Sequence, residues 1–292
     1  MFLLVLIESI PLVIIVTGIV LNLIIVTSFW RRRIVRSSIP NVLLFNQSVA
    51  DLFNVAGYGV ARTTFRLLVH FNLRYDIAEL VLLFFWSTTI FSSALLHNVI
   101  ATERLLSISF PLWHRVYLLK KHIWISVTVL WTVSIVIGFC NIIIEILNVK
   151  RIIFTWFVNI SICLSVGITT ILFIITFIKA LVSIKSEPTQ SISNRTNWKK
   201  QLRLTAIFFV MFISFAIVYL PLMAIALALT STPTSGVVGL AWTIIQMCFL
   251  LTSVINPVLT LCFKTQFRPC RANADSRRNR QNIEMHQIGP SN

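Results

Sequence analysis

Carboxylates are scarce in this chain: nine Asp and Glu stand against 25 Lys and Arg, a formal charge of +16. Charge of either sign is thin, at 12% of residues, about half the ~25% usual for a soluble domain. With 57% hydrophobic residues and a mean hydropathy of +0.88, a chain of 292 residues cannot hide its apolar surface in one water-soluble core. Cysteines in CxxC spacing are missing, and four of the five thiols lie in apolar runs, where they serve as small hydrophobes. No disulfide framework is implied. No HExxH or nucleophile–base set occurs, and five scattered histidines do not form one, so an enzyme is disfavoured. A basic region and a small-residue cleavage site are also missing at the start, so the first apolar run reads as a retained helix. The positive excess is not a nucleic-acid patch, because it sits in short clusters between apolar runs, as in cytoplasmic loops.

What is present is a series of seven apolar runs, at about 4–29, 41–62, 76–107, 123–147, 152–182, 202–229 and 237–262. Each is long enough to cross ~30 Å of hydrocarbon at ~1.5 Å per residue. The third exceeds that length and is expected to tilt and protrude. Pro40 opens the second run, where its missing N–H costs nothing. The loops between runs include "RLLVHFNLRY", "PLWHRVYLLKK" and "IKSEPTQSISNRTNWKK". Residues 1–270 thus form one membrane domain, and the polar segment 271–292 reads as a disordered cytoplasmic tail. All the basic residues except Arg62, Arg66, Arg74, Lys150 and Arg151 fall on one side of the implied membrane, which places the N-terminus outside. The sequons at Asn46, Asn159 and Asn194 lie in helices or on the cytoplasmic side and should carry no glycan.

Asp51, in "NQSVADLFN", is the only carboxylate well inside a run. An ionised carboxylate in hydrocarbon must be neutralised, paired or bound to a cation. Asn22, Ser93, Ser253 and Asn256 are expected at similar depth, and Pro257 frees backbone carbonyls there. A carboxylate among hydroxyl and amide oxygens suits a hard cation such as Na⁺. A protonated Asp51 hydrogen-bonded to its neighbours is the alternative.

"GIVLN", "SVADL", "ERLLSISFPL", Trp131, "FAIVYLP" and "NPVLT" occur in the order found in rhodopsin-like (class A) G-protein-coupled receptors, which the chain resembles over about residues 10–270. The resemblance implies an all-α membrane protein: a seven-transmembrane helix bundle with a short amphipathic eighth helix and an extracellular N-terminus. It implies a plasma-membrane receptor coupling to heterotrimeric G proteins, with arrestin and membrane lipids as further partners, and with no required cofactor beyond an allosteric Na⁺. Asn22, Asp51, Ser93, Ser253 and Asn256 match the family's sodium site. Glu103 and Arg104 match its cytoplasmic switch, and Ile108, Pro111 and Leu112 its second intracellular loop, where Leu112 would dock into the G protein. Phe215, Pro221, Asn256 and Pro257 match residues that repack on activation. Phe267 would seat the amphipathic helix, and Cys270 beyond it is a palmitoylation candidate.

The chain departs from the family pattern at several of these places. Tyr219 replaces the usual tryptophan, Leu105 and Thr260 replace tyrosines, and Glu79 stands where the third helix usually has cysteine. Gln201 offers Arg104 only a neutral hydrogen bond, so the Glu103–Arg104 contact is expected to carry most of the resting restraint. The resemblance assigns the ligand pocket to Trp86, Ile90, Tyr219, Met223, Trp242 and Gln246. With no acid at Trp86 a biogenic amine is disfavoured, and with Leu250 in place of lysine a retinal Schiff base is excluded. An apolar, aromatic pocket fits a small apolar molecule, a lipid or a short peptide, with Asp76, Glu79 and Glu145 near its rim. A seven-helix transporter or channel is the alternative, disfavoured by the lack of repeated halves. A receptor-fold partner that no longer signals is another, kept open by the missing tyrosines.

Overall fold

The computed structural model describes residues 2–31, 38–74, 76–147, 151–186, 192–231 and 236–263, and among them every regular element is helical. Helix α1 is Phe2–Arg31. Helix α2 is three abutting segments, Ile39–Phe53, a π-helical turn Asn54–Gly59 and Val60–His70. Then come α3 (Asp76–Ser109), the short α4 (Pro111–Tyr117), α5 (Lys120–Ile146), α6 (Arg151–Ser186), α7 (Ile192–Ser231) and α8 (Gly236–Phe263). The seven long helices form the bundle, with α3 packed against α2, α5, α6 and α7, and with α1 closing against α2 and α8.

Helix propagation overrides several expected loops. "RLLVHFNLRY" is helical as far as His70, and Asn72 (φ 52°) then reverses the chain in the left-handed conformation that asparagine tolerates. "PLWHRVYLLKK" contains α4, started by Pro111 at a first-turn position that needs no N–H donor. α7 begins at Ile192, ten residues before the sixth apolar run, so its basic end continues the span as helix. The amphipathic helix at Phe267 and the tail, with Cys270, lie outside the described residues.

The bundle is apolar outside and polar within. Leu12, Val16, Leu23 and Ile24 on α1, and Ile160, Leu164, Ile168 and Ile171 on α6, face outward. Five described stretches, Ser9–Arg31, Asp76–Ser109, Lys120–Ile146, Trp156–Val182 and Gln201–Pro221, are long and apolar enough to cross a membrane; Gln246–Cys262 is apolar but shorter. α2 is diluted by Asn41, Asn46, Gln47, Asp51, Asn54 and Arg62, all buried. That inversion is what a lipid solvent permits: polar groups are sequestered inside and the hydrocarbon-facing surface needs none.

Small residues set the helix separations. A Cβ built on Gly138 of α5 would stand 2.2 Å from Thr88 Oγ1 and 2.9 Å from the Phe84 ring, so only glycine lets α5 approach α3 this closely. The π-turn matters for direction. In an α-helix a four-residue step overshoots one turn by about 40°. A wider turn closed i→i+5 falls short instead and cancels part of that drift. Thus Gln47, Asp51, Asn54, Tyr58, Arg62 and Arg66 make one stripe along α2, and from Asp51 onward its members meet α8.

Candidate functional site: a polar axis through the bundle

At mid-bundle, Asp51 is held by neutral donors. Asn256 Nδ2 donates to both carboxylate oxygens (3.2 and 3.1 Å), Gln47 Nε2 reaches both at 3.4 Å, and the Ser253 hydroxyl donates to Oδ1 at 3.4 Å. Asn54 Nδ2 donates to Ser253 Oγ at 2.8 Å. Pro257 cannot return the i→i−4 bond to the Ser253 carbonyl, and that carbonyl accepts instead from Asn22 Nδ2 at 2.8 Å. The proline thus ties α1 to α8. Asn22, Asp51, Ser253 and Asn256 lie in one hydrogen-bonded cluster. Ser93 is buried on α3, but among the described residues no hydrogen bond joins it to Asp51. Gln47 and Asn54 are members that the motif matching missed, although they stand four residues before and three after Asp51 on one helix face.

The shell fits a hard cation on its own chemistry. Four buried amide oxygens around Asp51, those of Asn22, Gln47, Asn54 and Asn256, have no hydrogen-bond partner among the described residues. Buried carbonyl oxygens are rarely left so, and oxygen donors of this kind beside a carboxylate are the type that a hard cation takes. No group of three His, Cys, Asp or Glu suited to a transition metal occurs among the described residues.

At the cytoplasmic end, Glu103 and Arg104 are each only 1% exposed. Arg104 gives both Nε and Nη2 to Glu103 Oε2, and its Nη1 donates to Gln201 Oε1 of α7 at 3.1 Å. The guanidinium lies over the Phe208 ring, 5.6 Å from its centroid. The other carboxylate oxygen, Oε1, is 3.0 Å from His114 Nε2 on α4, a residue that the sequence analysis did not single out. Ile108 is buried below the pair, whereas Leu112 on α4 is 76% exposed at this face.

Between these levels Phe215 stacks on Tyr219 (5.2 Å, 10° between planes), six and two residues before Pro221. His97 of α3 stacks on the other side of Phe215 at 5.1 Å and hydrogen-bonds the Ser93 carbonyl through Nδ1. Thr260 spends its hydroxyl on the Asn256 carbonyl of its own helix, 3.0 Å away, rather than crossing to another helix.

In the outer half, Tyr58, Trp86 and Phe249 form an aromatic trio with ring centroids 5.1, 5.8 and 5.6 Å apart. Ile90 and Tyr219 are fully buried beneath it, and Gln246 accepts from Arg62 Nε at 3.0 Å. The side chains of Met223 and Trp242 lie outside the described ones. A cavity of about 430 Å³ sits elsewhere, between α2 and α3, lined by Gly57, Ala61, Leu68, Ile77, Val81 and Phe85 among others, and includes none of the expected pocket residues. Of the rim acids, Asp76 is already held by Arg74 at 2.8 Å. Arg74 stays firmly protonated through that contact.

No curated protein matches the chain. The family model described as "7 transmembrane receptor (rhodopsin family)" matches residues 21–259, a stretch that contains Asn22, Asp51, both switch residues and Pro257. The chain therefore belongs to the rhodopsin family of seven-transmembrane receptors and is a multi-pass membrane protein.

Proposed function

We propose that this protein is a plasma-membrane receptor that transmits the binding of an extracellular ligand to a heterotrimeric G protein. The observation that carries the proposal is the buried Glu103–Arg104 pair with its flanking contacts to His114 and Gln201. Its chemistry is that of a catch. A buried ion pair is held in place because separating it strands two charges in a medium of low dielectric. Across to α7 Arg104 is bound by the neutral contact with Gln201 and by the face of the Phe208 ring, and those links are the weaker ones to break.

Ligand contact in the outer half would bias α7 through the Tyr219–Phe215–His97 stack, with Pro221 as the point where its backbone yields. Parting of α7 from Arg104 would then open the cytoplasmic face, where the exposed Leu112 supplies an apolar anchor for the G protein. This is a two-state equilibrium, and any ligand moves it only by its differential affinity for the two arrangements. Within it, Asp51, Ser253 and Asn256, with the Asn22, Gln47 and Asn54 amide oxygens, would hold Na⁺. Bound there, the ion supplies a compensating positive charge that favours the closed packing of α2 against α8.

The test is Glu103→Gln, which keeps the shape of the side chain but removes its charge. Basal second-messenger output, normalised to surface receptor, is expected to rise several-fold in transfected cells. Unchanged output at matched surface expression would sink the proposal that this pair restrains signalling.

A further inference from the structure

We propose that the cavity between α2 and α3 binds a single-chain zwitterionic phospholipid, with its chain in the groove and its head group on the Arg74–Asp76 pair at the mouth. The site goes beyond the receptor proposal and does not depend on coupling. Its inner end lies five residues outward of Asp51, where Phe85 of α3 rests on the backbone of α2. A Cβ on Gly57 would stand 2.2 Å from Phe85 Cδ1. Outward of that contact, Ala61 on α2 and Ala78 on α3 are too small to fill the space between the helices. The flanks are Val60, Ile77 and Val81, all exposed. On a membrane protein such flanks are bathed by hydrocarbon, and an apolar void between them takes an apolar occupant rather than water.

Shape and charge select the occupant. The lining runs from Ala56 to Leu68 on α2 and from Ile77 to Phe85 on α3, roughly 18 and 12 Å at ~1.5 Å per residue. About 430 Å³ spread over that length leaves a section of roughly 24–36 Å². One extended hydrocarbon chain fits; a fused-ring body or two chains side by side do not. Among the described lining residues the polar ones are Thr64 and Arg74, both towards the outer end. The exposed Thr27, Thr128 and Thr132 spend their hydroxyls on carbonyls four residues back, at 2.6, 2.9 and 3.0 Å. Thr64 is exposed too, yet among the described residues its hydroxyl makes no hydrogen bond, which leaves it for an ester or glycerol oxygen. Arg74 gives Nε to Asp76 Oδ2 at 2.8 Å, and its two Nη groups and Asp76 Oδ1 have no other partner among the described residues. The free fork suits a phosphate, and the free carboxylate oxygen suits the quaternary ammonium beside it. A purely anionic head would meet Asp76 with like charge.

The experiment uses the full-length receptor in nanodiscs that contain no choline lipid, and a lysophosphatidylcholine with a photoreactive diazirine at its chain end. Expected is saturable labelling concentrated at the inner end of the groove, on residues 56–61 and 81–85, and competed by unlabelled lysophosphatidylcholine. Lysophosphatidic acid, diacyl phosphatidylcholine and cholesterol should each compete about tenfold more weakly or worse. Ala78→Phe, which fills the groove, should cut labelling about tenfold; should it not fold by its melting curve, Ala56→Phe at an exposed position decides. Arg74→Gln should weaken binding several-fold and Arg74→Lys by less, while Asp76→Asn should reverse the preference in favour of lysophosphatidic acid. Labelling spread evenly over the hydrocarbon-facing helices, or unchanged in the filled variants, would mean annular lipid only and overturn the site. Equal competition by cholesterol or by the diacyl lipid would overturn the single-chain occupant, and an unaltered head-group preference in Asp76→Asn would overturn the zwitterionic one.

Discussion

The two ends of the polar axis treat buried charge in opposite ways. At the cytoplasmic end an acid and a base are adjacent in sequence, and Glu103 and Arg104 neutralise each other with His114 and Gln201 as side supports. At mid-bundle the carboxylate of Asp51 meets no cation of the protein among the described residues, only amides and a hydroxyl. The first arrangement is closed and needs nothing from outside. The second is open, and its stability should depend on what the solvent supplies. Under the proposed function, control divides between them: the closed cluster would set how firmly the resting state is held, and the open one would make that state sensitive to ions.

The strongest way to break this comparison is to remove one half of the closed pair. Arg104→Leu leaves Glu103 buried with only His114 beside it, and a buried charge stripped of its partner costs about 3–5 kcal/mol. The purified receptor should melt correspondingly lower. Adding Glu103→Gln to Arg104→Leu should recover most of the loss, since no charge then remains to be stranded. Equal melting temperatures for the single and double variants would show that the two side chains are not coupled.

A packing change without any charge serves as the reference between them. Gly138→Ala forces a methyl to within 2.2 Å of Thr88 Oγ1, and over-filling of this kind costs about 1–3 kcal/mol. Its melting temperature should fall by the same amount in sodium and in potassium buffers. A loss that vanished in one of the two salts would mean that the α3–α5 contact is linked to the ion.

The open cluster is tested by the salt itself. For a sodium affinity near ~10 mM, about 150 mM Na⁺ stabilises a folded receptor by about 1–2 kcal/mol through mass action. That increment should be present in the parent protein, absent in Asp51→Asn, and retained in Arg104→Leu. Melting curves in NaCl against N-methylglucamine chloride read it directly. A sodium increment that survives Asp51→Asn would remove the ion from this site.

Much of the axis was legible in the sequence because each member sits where a helix motif marks it. Asp51, Asn256 and Pro257 each lie in a short recognisable string, and charge or proline in an apolar run is conspicuous. Gln201 facing Arg104 was legible only through the family resemblance, since some relatives carry an acid at that place on the sixth helix. What escaped lies in residues whose role depends on helix rotation or on another element. Asn54 shares a face with Asp51 by ordinary helical spacing but lies outside the quoted motif strings, whereas Arg62 belongs with Gln246 beyond the π-turn at Asn54–Gly59, which no motif marks. His114 reaches Glu103 because α4 is a helix where a loop was expected, and His97 meets Phe215 only through the α3–α7 packing. The arginines of α2 were counted as outer-side charges for orientation, whereas the seam with α8 draws them inward.

The smallest expected effect also discriminates most finely between a closed lock and a loose one. Gln201 is exposed and gives Arg104 a single neutral acceptor at 3.1 Å, so the cross-helix part of the catch is weak by construction. Gln201→Glu would convert that contact into an ion pair, and at an exposed position such a pair is worth at most about 1 kcal/mol. If α7 departs from Arg104 during signalling, that increment stabilises only the resting arrangement, and basal output should fall by up to about fivefold while melting barely changes. An acid at 201 also competes with Glu103 for the same guanidinium. Combined with Glu103→Gln, it should therefore lower basal output more than it does alone, because Arg104 is then free to turn fully towards α7. Equal effects of Gln201→Glu in the two backgrounds would mean that Arg104 does not choose between the two acceptors, and that the restraint lies in the packing of α7 rather than in its contact with the arginine.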